Sequence, residues 1–132
     1  MKHQGKVVVV TGAGQGMGRA IVECFAKEGA QIAALDINQS AAEETAQAVG
    51  ENAIGMACDI ADSAAVKKAM AAVIERFGRL DVVVNNAGTG SVDEFLETPD
   101  ENWARVIGVN LTGTFLCSRE GARLMQQGGE GG

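Results

Sequence analysis

The chain has 132 residues, 46% of them apolar and only 4% aromatic, which suits one domain, residues 1–132, with a core of Val, Ile, Ala, Leu and Met. A net charge of -6 argues against nucleic acid or an anionic membrane as partner, since both demand a basic surface. Cys24, Cys58 and Cys117 have neither disulfide-framework nor zinc spacing and read as buried reduced thiols; with His3 the sole histidine, in an N-terminus expected to be loose, no metal site is expected.

In chain order, Lys6–Thr11 is a short apolar run and reads as a buried strand. Its four valines are too few for a signal peptide, and no stretch is long enough to span a membrane, so the expected location is cytoplasmic. Met17, Ile21, Cys24 and Phe25 then follow helical spacing, and Gly29 stands where a left-handed helix end is wanted. Gln31–Asp36 is a second strand. Ser40-Ala41-Ala42-Glu43 has capping-box spacing and opens a helix that ends at Gly50. Ala53–Cys58 is a third strand.

Asp62 or Ser63 caps the next helix, whose apolar stripe runs from Val66 to Phe77 and which Gly78 closes. Leu80–Val84 is a fourth strand, and 85–97 a loop. Thr98-Pro99-Asp100-Glu101 reads as an N-cap, a proline at the first helical position and a glutamate reaching back. One long helix is expected from there towards Gln127, followed by a glycine-rich, flexible tail. Trp103, Met56, Met70 and Met125 read as packing residues. Strands alternating with helices of these lengths predict right-handed βαβ units, hence an α/β fold: a Rossmann-type parallel sheet with helices on both faces.

The chemistry begins at the first strand-to-helix turn. Gly12, Gly16 and Gly18 stand as G-x-x-x-G-x-G, with Met17 where the last glycine of G-x-G-x-x-G would fall. Glycines there permit a tight turn and close approach of backbone N–H groups to a pyrophosphate, and the helix N-terminus favours its negative charge. Asp36 ends the second strand about 20 residues beyond the glycine loop, placed to bond the adenosine ribose hydroxyls and to repel a 2′-phosphate. The expected cofactor is NAD rather than NADP.

With these motifs the chain resembles the short-chain dehydrogenase/reductase family. Thr11-Gly12 and Asp36 are joined by Asp59-Ile60, Asn85-Asn86-Ala87-Gly88 and Asn110, in order and at family spacing. The resemblance implies cofactor contacts from Thr11, Gly12, Gln15, Gly16, Met17 and Gly18 in the loop. It adds Asp36 with Ile37, Asp59 with Ile60 at the adenine, and Asn86, Ala87 and Gly88 on the nicotinamide-ribose side. It makes Asn110 a catalytic-set residue that props a water in proton relay. The family's serine and Y-x-x-x-K motif belong to the next strand and helix. There is no tyrosine in these residues and no lysine after Lys68. The resemblance therefore implies the NAD-binding part of an oxidoreductase, cut after the fourth βα unit, that turns over nothing by itself. Ser91 and Ser118 have no base nearby in sequence and read as loop and helix-surface residues. The alternatives are a non-catalytic nucleotide-binding module or pseudoenzyme, and an engineered or degraded fragment. An uncovered fourth strand or long helix predicts self-association.

Overall fold

The computed structural model describes residues 1–132. Four parallel strands form one sheet in the order β3-β2-β1-β4: β1 Val7–Thr11, β2 Gln31–Asp36, β3 Ala53–Ala57 and β4 Val82–Val84. Helices α1 (Gly16–Lys27), α2 (Gln39–Val49) and α3 (Ser63–Phe77) link them. After β4 come a 3-10 turn (Phe95–Glu97), α4 (Asp100–Ile107), a π-helical segment (Gly108–Gly113) and α5 (Thr114–Gly128).

Both faces of the sheet are covered, which is why β1 is a continuous run of valines rather than an alternating one. Val8, Val10, Ile32 and Ala34 meet Val22 of α1 on one face. Val7, Val9, Ala33 and Leu35 meet Val66 and Val73 of α3 and Leu116 and Cys117 of α5 on the other. The predicted Rossmann-type α/β sheet is thus the one observed. No helix is long and apolar enough to cross a membrane.

Several local expectations change. The fourth strand is shorter than Leu80–Val84, because the Asp81 carboxylate takes the Val7 N–H at 2.9 Å where a strand carbonyl would. Helix α2 is capped by Asn38, whose Oδ1 accepts the Ala41 N–H at 3.1 Å, so Ser40 lies inside the first turn and forms no capping box. Asp62, not Ser63, caps α3. Thr98 is not the N-cap of α4: its hydroxyl donates to the Glu94 carbonyl of the 3-10 turn, and Pro99 takes the cap position.

The single long helix is interrupted by the π segment, which lies between two glycines, residues without Cβ. At Gly113 a Cβ would lie 2.6 Å from Ile60 Cγ1. The N-terminus is tied down rather than loose: the His3 N–H donates to the Glu28 carbonyl, and its ring packs 4.9 Å from that of Phe25. Cys24 is exposed, unlike Cys58 and Cys117. Trp103 is exposed too, whereas Met70 is in the core and Met56 and Met125 pack against it. In the tail, Glu130 pairs with Arg79.

Candidate nucleotide-binding site

The carboxyl ends of the strands open into a cleft of about 700 Å³, a size suited to a small-molecule ligand. Its first wall is the glycine turn. Gly12 has a φ of +63°, and a Cβ there would sit 2.8 Å from Ala87 Cα, so both conformation and space require glycine. A Cβ on Gly18 would collide with the Gly12 carbonyl and lie 2.6 Å from Asn86 Nδ2. The turn thereby packs directly on the Asn86-Ala87 segment.

Thr11 lies behind this wall, buried, and organises it. Its Oγ1 accepts the N–H of Asn86 at 3.1 Å and of Ala87 at 3.0 Å, and donates to the Val84 carbonyl at 3.4 Å. Asn86 returns the contact, with Nδ2 donating to the carbonyls of Thr11 and Gly12, both at 3.1 Å. Helix α1 opens on the cleft with no side-chain cap and no acidic residue in its first turn. The N–H groups of Gly16, Met17 and Gly18 have no partner within the chain, leaving free donors beside the positive end of the helix dipole.

Asp36 stands at the rim where β2 ends. Oδ2 accepts the Gly14 N–H and Oδ1 the Asn38 N–H, each at 2.9 Å, which fixes the carboxylate while leaving lone pairs to accept hydroxyl donors. A Cβ at Gly14 would come within 2.8 Å of that carboxylate and 2.7 Å of Ala41 Cβ. Ile37, Asp59, Ile60, Gln15, Gly16 and Met17 also line the cleft, as do Asn86, Ala87 and Gly88. The fold therefore gathers the sequence-predicted cofactor residues into one cleft except Thr11, which is buried behind its wall and supports it.

Asn110 does not line the cleft. Its Oδ1 accepts the Thr89 N–H at 2.8 Å and its Nδ2 donates to the Thr89 carbonyl at 2.9 Å, so both ends of the amide clasp one residue. Ser118 accepts from Asn85 Nδ2 at 3.0 Å, and Ser91 bonds Asp93. Sequence reasoning missed Gly14, although its place in the glycine turn marks it, and also Thr89, Arg105, Gly108 and Val109, which line the cleft from the loop and α4 side. Thr89 directly follows the Asn85–Gly88 motif, whereas Arg105, Gly108 and Val109 reach the cleft only through the docking of α4 and the π segment. Cys58 lines the cleft as well, but burial, then the carboxylates of Asp59 and Asp62, push its thiol up to about 11. It stays protonated and is no nucleophile at neutral pH.

The short chain dehydrogenase family model matches residues 6–132. The chain belongs to the short-chain dehydrogenase family. It is 43% identical to a D-threitol dehydrogenase of Mycolicibacterium smegmatis over 95% of this chain and 50% of that protein. It is 36% identical to a sorbitol dehydrogenase of Cereibacter sphaeroides over 100% of this chain and 52% of that one. Among solved structures, the 3-ketoacyl-(acyl-carrier-protein) reductase of Brucella melitensis complexed with NADH superposes with a TM-score of 0.91 at 35% identity, covering 96% of this chain and 52% of that one. The chain thus spans about half the length of the curated relatives it matches.

Proposed function

We propose that these residues form the NAD-binding part of a short-chain oxidoreductase. The whole protein would transfer a hydride between the nicotinamide and a secondary alcohol or the corresponding ketone. The observation that carries this is the pairing of Asp36 with the opening of α1. Free amides at the helix start suit the pyrophosphate, and a fixed carboxylate at the rim of the same cleft suits a ribose diol. That carboxylate already accepts two N–H groups and would repel a 2′-phosphate, so the reading is NAD rather than NADP. The relative solved with NADH and those named for threitol and sorbitol support the cofactor and the alcohol class.

When bound, the nicotinamide supplies the hydride chemistry. Gly16, Met17 and Gly18 would hold the pyrophosphate, Asp36 the adenosine ribose, Asp59 and Ile60 the adenine, and Asn86 to Gly88 the wall beyond. Within the 132 residues no tyrosine is present to act as acid or base, so this polypeptide alone is expected to bind NAD without turnover. The unpaired edge of β4 and the exposed Trp103, Leu111 and Phe115 favour self-association on that side, which sedimentation across a concentration series would register.

Calorimetric titration tests the cofactor reading. Saturable binding of NAD with at least tenfold weaker binding of NADP is the expected result, and Asp36→Ala should narrow that gap. Equal affinity for the two in the unaltered chain would remove Asp36 as the selector. Binding of neither would remove the site.

A further inference from the structure

The segment that leaves β4, Gly88–Asp93, crosses to α4 without one backbone–backbone hydrogen bond. It contains two glycines, and Thr89 is its one half-buried residue. Left to itself, such a segment would sample many conformations. Side chains of α4 and the π segment hold it instead. Asn110 clasps the Thr89 N–H and carbonyl. Asn102 Nδ2 donates to Asp93 Oδ2 at 3.0 Å. Between them Arg105 spreads its fork, Nη1 donating to Thr89 Oγ1 at 2.6 Å and Nη2 to the Gly90 carbonyl at 3.0 Å. Salt bridges form elsewhere on the surface, but none involves this guanidinium, so no carboxylate draws it from the loop.

Gly88, Thr89 and Arg105 all line the cleft. We propose that Arg105 is a positioning residue for the nucleotide site, holding Gly88–Gly90 as a preformed wall through the Thr89 hydroxyl and the Gly90 carbonyl. The inference rests on the nucleotide reading of the cleft. A wall already ordered need not be ordered by the ligand, and affinity rises by the fraction of molecules that are competent to bind. The planar fork matters here, because two acceptors on adjacent residues are met at once. An ammonium on a flexible stem does not reproduce that geometry.

The test is titration of the 132-residue chain with NAD, for the parent, R105A and R105K, with amide exchange followed in the free proteins. R105A should weaken NAD binding about tenfold and speed exchange of the Thr89 amide, with the amides of Val8, Val9 and Val10 unchanged as the internal reference. R105K should recover only part of the affinity. T89V, which removes the same anchor from the other end, should weaken NAD by about threefold and decides the matter if R105A does not fold. Unchanged NAD affinity in R105A or T89V overturns the proposal. Full recovery in R105K also overturns it, since charge acting on the nucleotide would then suffice. If the parent itself binds no NAD, the cofactor reading falls and this inference with it, an outcome distinct from a parent that binds beside variants that bind equally well.

Discussion

One wall of the cleft, Thr11–Gly18 with Asn86 and Ala87, and the segment that continues from it, Gly88–Asp93, held by α4 and the π segment, differ in what fixes them. In the first, backbone meets backbone at distances only glycine permits, and a buried threonine satisfies two amides. In the second, exposed backbone is pinned by Asn102, Arg105 and Asn110. The first cannot change without moving β1 or β4. The second can loosen while the sheet stays intact. A nucleotide would therefore meet one rigid wall and one whose order depends on a few side chains, and mutations on the two sides should separate loss of fold from loss of local order.

The largest effect is expected at Gly18. Gly18→Ala drives a methyl into the Gly12 carbonyl and the Asn86 amide, and should cost about 3 kcal/mol or more in urea unfolding. A fully stable variant would show that this wall yields. Thr11→Val keeps the shape but strands the N–H groups of Asn86 and Ala87, for an expected loss of about 2 kcal/mol in the same assay. In the loop segment, Asn110→Ala should cost only about 1 kcal/mol, because water reaches the released Thr89 groups. Its signature is faster exchange of the Thr89 amide with β1 unaffected. A global cost matching that of Thr11→Val would erase the contrast between the walls.

The smallest effect concerns the far end of the sheet. Desolvation acts to raise the carboxyl of Asp81, but the hydrogen bonds from Arg79 and the Val7 amide, with the charges of Arg79 and Lys6, outweigh it and hold the group below its usual value. The folded value is thus lower than the unfolded one. Its stabilisation is complete above the unfolded value, about 3.9, and is lost as pH falls through the folded value. The urea midpoint of the parent should drop in that acidic window, while Asp81→Asn should start lower at neutral pH and show a shallower acid decline. Parallel pH curves would mean that other carboxylates govern the acid limb.

The amino-acid sequence by itself determined the alternation of strands and helices, the glycine turn after β1, and Asp36 at the end of β2. These are local: an apolar run ended by glycines, and a fixed spacing along one βαβ unit, specify them without reference to the rest of the chain. The cofactor candidates it names, Thr11 apart, line one cleft, because parallel strands bring their carboxyl ends to the same edge of the sheet. Tertiary structure alone decided the shortened β4, where the Asp81 carboxylate reaches across to Val7. It likewise decided the choice of Asn38 over Ser40 as cap, and the use of Thr98 by a 3-10 turn instead of α4. Gly88 and Asn110 were legible as motif residues, but the contacts that order the loop side were not. Thr89, Arg105 and Asn110 lie up to 21 residues apart, and no periodicity relates a loop to the helix that follows it. Only the docking of α4 and the π segment against the sheet brings those side chains within hydrogen-bond reach of one another.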